Sequence, residues 1–210
     1  MARRITPSCR LCRRENEKLF LKGTRCTSAK CTFIKRDFAP GQHGQKRKRG
    51  KFSDYATQLR EKQKAKRYYG VLEKQFKNYF RKAEQSKGTT GEVLFQFLER
   101  RLDNLVFRAN FAASRPKARQ IVRHRFVKVN GRKVDIPSYV VKAGDEIKLT
   151  GSDNQKKVIM ETAKILSDRM IPEWLEVSSE NLSVKVKRLP AKADIGMVFQ
   201  ENLIVELYSK

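Results

Sequence analysis

Acidic side chains are scarce in this chain. Of 210 residues, 22 are Asp or Glu and 48 are Lys or Arg, a formal charge of +26. A small acidic or neutral metabolic enzyme does not carry such an excess. Its self-repulsion calls for a polyanionic partner, and nucleic acid is the abundant one. Long apolar runs are also lacking: none approaches the roughly 18 residues a membrane-spanning helix needs, so no membrane partner is expected. Residues 1–14 hold no apolar stretch of the kind that opens a secretory signal. Histidine is limited to His43 and His124, both in basic surroundings that suit phosphate contact better than proton transfer. No P-loop, GxSxG or HExxH motif occurs. The expectation is a chain that is not an enzyme and takes no small-molecule substrate. Hydrophobic residues make up 39%, low but sufficient at this length for a packed core.

The charge is concentrated at the front. Residues 1–90 carry a net +19, residues 91–150 a net +7, and residues 151–210 a net charge of zero. Solubility of a small domain asks for only about 2–8 charges, so the first half is the expected polyanion-facing part.

All four cysteines fall within the first 31 residues. Cys9 and Cys12 form a C-x2-C knuckle, and Cys26 and Cys31 a C-x4-C pair 13 residues further on. Both spacings suit a closed tetrahedral thiolate site. The segment is short and basic (Arg10, Arg13, Arg14, Lys18, Lys22, Arg25, Lys30), with too few apolar residues to fold alone, so a metal would staple it. The positive charges favour the thiolate forms. Zinc is the first choice. An iron–sulfur cluster also takes four Cys, and disulfides fit poorly without an export signal. With all four ligands from protein, no open position remains for catalysis.

Pro40-Gly41-Gln42-His43-Gly44 is turn chemistry. It runs into Lys46, Arg47, Lys48 and Arg49, a cationic cluster suited to tracking phosphates. Ser53 and Asp54 cap a predicted helix over 55–67, which carries Arg60, Lys62, Lys64, Lys66 and Arg67. A second amphipathic helix is predicted to about residue 85, burying Phe76, Tyr79, Phe80 and Ala83, and a third over 92–109. Asn110 follows it, where left-handed geometry favours Gly or Asn. Ser114 caps a fourth helix with Pro116 in its first turn, bearing Arg115, Lys117, Arg119 and Arg123. Residues 126–129 alternate as a strand, Asn130-Gly131 signals a type I′ turn, and 132–134 return. Residues 145–149 read as a further strand. A helix with a cationic outer face beside a short hairpin suits RNA, read through phosphates, 2′-hydroxyls and shape. A helix–turn–helix in a DNA groove is the alternative.

The string SRPKARQIVRHRFVKVNGRKVDIPSYVVKAGDEIKL (114–149) resembles the small RNA-binding module of the S-four type. That module also occurs in RNA enzymes and alone implies only RNA binding. FAPGQHG (38–44), SDYATQLREKQKAKRYYG (53–70), QFKNYF (75–80), TGE (90–92) and LERRLDNLVFR (98–108) extend the resemblance along essentially the whole chain. It is similar to the bacterial-type small-subunit ribosomal protein S-four family, in its four-Cys metal-binding subgroup. Two positions depart: Asn110, where the family usually has Gly, and Arg125, often Gly or Lys.

The resemblance implies a cytoplasmic protein of the ribosome, a primary binder of the five-prime domain of small-subunit ribosomal RNA that nucleates assembly. It implies a place beside small-subunit protein number five near the mRNA entrance, with an influence on decoding accuracy. The RNA contacts it implies are Gln42, His43, Lys46, Arg47, Lys48, Arg49, the basic residues of 55–67, and Arg115, Lys117, Arg119 and Arg123. A free RNA-binding regulator is the rival reading. The fold expected is α+β: a metal-stapled extension (1–45), a helical domain (46–92) joined in space by 151–210, and an inserted α+β RNA-binding module (93–150). In the near-neutral end, a helix is expected over 156–168 and strands over 182–187 and 203–208, packed against the module to offer part of a protein contact.

Overall fold

The computed structural model describes residues 6–45 and 53–209. In chain order its elements are α1 (Ser8–Glu15), a 3-10 turn (Gly23–Cys26), α2 (Thr32–Lys35), α3 (Asp54–Tyr68), α4 (Glu73–Glu84), α5 (Thr90–Glu99), α6 (Leu102–Arg108), α7 (Arg115–Arg123), β1 (Val127–Val129), β2 (Arg132–Lys133), β3 (Glu146–Leu149), α8 (Asp153–Ile165), β4 (Leu175–Ser178), β5 (Ser183–Val186) and α9 (Glu201–Tyr208). Two compact units result: residues 1–91 with 197–210, and residues 92–196.

The first unit is helical. Ser53 accepts the Ala56 N–H and caps α3. Gly70, at φ +66°, follows α3 and turns the chain into α4. Phe76, Tyr79, Phe80 and Ala83 form the buried stripe of α4, as the periodicity predicts. α1 was not anticipated from sequence; it buries Leu11 and Cys12 and ends on Asn16 in left-handed geometry. Residues 203–208 are helical, where a strand was expected. As a helix, α9 buries Ile204 and sets the Tyr208 ring 4.4 Å from that of Phe80. Gln58 Nε2 donates to Glu206 Oε2 at 2.9 Å.

The second unit packs helices on a five-stranded antiparallel sheet of order β2-β1-β3-β5-β4. Val127, Val129, Ile147, Leu149, Val184 and Val186 face a core shared with Leu102, Leu105, Ala118, Val122 and Trp174. The Asn130-Gly131 turn joins β1 to β2, both residues at positive φ. β4 and β5 complete the sheet from within residues 151–196. That segment therefore belongs to this unit, and only 197–210 joins the helical one, which corrects the expected assignment of all of 151–210 to the helical domain. The single helix expected over 92–109 is two. The Leu102 N–H donates to Tyr139 O (2.9 Å) and the Val141 N–H to Arg100 O (3.0 Å), so the backbone leaves its helical ladder at Arg100 and Arg101 to pair with a distant segment.

Candidate nucleic-acid interface

The loop of residues 38–44 is held from α1. Arg13 Nε donates to Phe38 O at 2.9 Å, and its guanidinium lies 4.7 Å from the Phe38 ring centroid. The Gly44 N–H donates to Gly41 O at 3.1 Å. A Cβ at Gly44 would lie 1.8 Å from Ala39 O, so only glycine closes this turn. Gln42 and His43 stand exposed at its tip. Lys46, Arg47, Lys48 and Arg49 lie outside the described residues. Arg13 was missed as a positioning residue because its partners are backbone carbonyls 25 and 26 residues away.

The cations of α3 are placed differently from the expectation. Arg60 and Arg67 both pair with the buried Glu15. Lys62 and Lys66 each reach Glu73 at 2.7 Å, and Lys64 meets Glu61 at 2.9 Å and Glu17 at 3.3 Å. None of the five is fully exposed. Burial pushes the Glu73 carboxyl up, but hydrogen bonds from Lys62 and Lys66 outweigh it and hold it at about 2. These residues are first of all the internal electrostatics of the helical unit. Carboxylates remote in sequence claimed them, and charge density alone did not show this.

In the second unit, the Ser114 hydroxyl accepts the Lys117 N–H and caps α7. α7 divides its basic residues between two faces. Arg115 is 5% exposed; its Nε donates to Asn104 Oδ1 at 2.8 Å. Expected as an RNA contact, Arg115 thus lies with its guanidinium in the interior of the unit. Arg119 is half-buried and meets Asp103 at 3.3 Å. Lys117 and Arg123 stand on the open face with His124. Arg125, Arg132 and Lys133 extend this surface in sequence and are exposed too. Arg125 pairs with Asp135 at 3.1 Å; among the described residues, no acid pairs with Lys117, Arg123, Arg132 or Lys133. The hairpin pair Arg132 and Lys133 was legible as a basic turn but was not singled out.

Beneath this surface lies a buried polar lattice. Glu99 accepts Arg108 through both oxygens (2.7 and 3.0 Å) and Asn104 at 2.7 Å. Arg101 grips Asp103 through two bonds, at 2.7 and 3.0 Å. An open pocket of about 310 Å³ between α5 and residues 190–195 contains Glu99, but that carboxylate is already held by these bonds.

The four thiols are free; Cys12, Cys26 and Cys31 are buried and Cys9 is half-buried. Burial pushes the Cys12 thiol up, and its neighbours Cys26, Cys9 and Cys31 push it further. The Cys26 thiol is also raised by burial, against a backbone N–H from Lys22 at 3.3 Å. Here desolvation overrides the basic surroundings expected to favour thiolates. Four thiols are the donor set of a thiophilic metal. Among the described residues, however, no three Cys, His, Asp or Glu form a group placed to hold an ion. No described helix is long and apolar enough to cross a membrane.

A family model described as the Ribosomal protein S4/S9 N-terminal domain matches residues 3–99, and one described as the S4 domain matches residues 100–147. Curated relatives are similar throughout. The small ribosomal subunit protein uS4 of Thermodesulfovibrio yellowstonii is 54% identical, that of Acetivibrio thermocellus 55% and that of Desulfotalea psychrophila 57%, each over 210 residues and all of both chains.

Proposed function

The chain belongs to the ribosomal protein S4 family of the small ribosomal subunit, and from that premise we propose how it grips RNA. As a member it is a structural, RNA-binding constituent of the ribosome and not an enzyme. The observation that carries the mechanism is the sorting of cations. Those of α3 are matched by Glu15, Glu17, Glu61 and Glu73, whereas Lys117, Arg123, Arg132 and Lys133 are exposed with no acid partner among the described residues. Unmatched cations on a rigid helix and hairpin neutralise phosphates and release counterions, and the lattice behind them fixes their spacing.

The same reading takes the loop bearing Gln42 and His43, and the segment of Lys46, Arg47, Lys48 and Arg49, as further contacts. It assigns the protein to the five-prime domain of small-subunit RNA as an early assembly factor, beside small-subunit protein number five near the mRNA entrance. Support comes from the full-length similarity and the charge of the first 90 residues. With roughly 6–10 phosphates contacted, affinity for a transcript of that RNA domain falls on the order of 10³–10⁵-fold between 50 and 200 mM salt. Cosedimentation with small subunits is expected; a flat salt response, or a chain that stays at the top of the gradient as a free regulator would, refutes the reading.

The four cysteines enter the same proposal as a structural metal site, zinc first and an iron–sulfur cluster as the alternative. Cys9, Cys12, Cys26 and Cys31 would hold the metal, which would cross-link α1 to the turn and strengthen the support of the loop bearing Gln42 and His43. Elemental analysis of the purified full chain is expected to find metal, and the Cys9→Ser/Cys12→Ser variant to lack it. Metal retained by that variant rejects the site.

A further inference from the structure

We infer that the outer face of α4 is a second phosphate-binding surface, distinct from the α7 and hairpin surface and from the basic residues of α3. At about 100° per residue, Lys74, Lys77 and Arg81 fall within an arc of about 60°, centred about 140° around the helix from the buried Phe76, Tyr79, Phe80 and Ala83, and rise about 10 Å along the axis. All three are exposed, and among the described residues none makes an ion pair. Helix neighbours Lys74 and Lys77, and Lys77 and Arg81, are like charges three and four residues apart, a spacing that destabilises a helix.

The fold does not lack carboxylates for such a face. α4 itself contains Glu73, but that side chain is turned to Lys62, Lys66 and the Tyr208 hydroxyl. Glu84, one turn beyond Arg81, is exposed and makes no ion pair among the described residues. The adjacent α3 is equally rich in cations, and there each one is matched. A row left repelling itself beside a row fully neutralised is an arrangement that a polyanion completes. Its spacing along one helix suits successive phosphates of an RNA backbone.

This inference rests on the ribosomal RNA reading above, and its test separates the two. The full-length chain and its Lys77→Gln/Arg81→Gln variant are titrated with a transcript of the five-prime domain of small-subunit RNA at 50 and 200 mM salt, and each is unfolded thermally without RNA. Two lost contacts reduce the slope of log affinity against log salt by about 1.4–1.8, so the ratio of affinities at the two salts shrinks about tenfold. The melting temperature stays the same or rises, because like charges have been removed. A steep wild-type slope with an unchanged variant slope overturns this inference and leaves the parent reading standing. A flat wild-type slope overturns the parent. A reduced slope accompanied by a lower melting temperature also overturns the inference, since the face would then be structural; the Lys77→Arg/Arg81→Lys variant, which keeps both charges, retains the full slope if charge is what the RNA reads.

Discussion

Arg115 is joined to Asn104 by a 2.8 Å hydrogen bond from its Nε, and its guanidinium lies 4.3 Å from the Phe107 ring centroid. A residue on the first turn of a basic helix thus works inward, while Lys117, two positions on, works outward. Replacing Arg115 by Ala costs about 2 kcal/mol, the range for a buried hydrogen bond to a charged group. Lys117→Ala stays within about 0.5 kcal/mol but weakens RNA binding. Urea unfolding ranks the two; the reverse order would contradict the assignment.

Glu99 anchors the lattice. It is fully buried, and Glu99→Gln removes the carboxylate that Arg108, itself buried, holds through two bonds. Stranding one partner of a buried pair costs about 3–5 kcal/mol. Equilibrium unfolding followed at Trp174, in the core of the same unit, reads this directly, and a loss below about 1 kcal/mol would mean the lattice is not cooperative.

Glu73 gives the helical unit an acid-sensitive contact. Its carboxyl is held at about 2 in the folded chain against an ordinary 4.5. A depressed carboxylate adds stability that is complete above the unfolded value and is lost as pH falls through the folded one. Acid titration of wild type is therefore expected to lose this contribution between about pH 4.5 and 2, and Glu73→Gln to flatten that part of the curve. Burial, and after it the same carboxylate, pushes the Tyr208 phenol well above its usual range. Identical curves for the two proteins would remove Glu73 as the cause.

Arg125 opposes stability to binding. It sits at φ +63°, a left-handed conformation that is costly for a long side chain, with its side chain 74% exposed. Arg125→Gly relieves about 1 kcal/mol of backbone strain and removes one exposed cation. The expected result is a higher melting temperature with weaker, less salt-dependent RNA binding. If both rise together, Arg125 is not an RNA contact.

Local chemistry was legible before the structure. The caps at Ser53 and Ser114, the Asn130-Gly131 turn and the buried stripe of α4 follow from side chains within a few residues of one another. What remained hidden depended on remote partners. Leu98, Leu102 and Leu105 keep one apolar rhythm across Arg100 and Arg101, so the break between α5 and α6, made by backbone bonds to Tyr139 and Val141, left no mark. Leu203 to Tyr208 is short and apolar enough to read as a strand, and its helical form is made by packing on α3 and on the aromatic rings of α4. In the candidate site, the cations of α3 were visible as charge, but their pairing with Glu15, Glu17 and Glu73 was not. Arg115 and Lys117 look alike in sequence and differ only in which side of one helix turn they occupy.

The placement of α9 carries a consequence for synthesis. The aromatic bed of Phe76 and Phe80 is made early, but the ring that covers it, Tyr208, is made more than a hundred residues later. At about 5–20 residues per second, roughly 6–24 s separate residue 91 from residue 210. Residues 92–196 contain every strand of their own sheet and can close in that interval, so the part translated first is the part finished last.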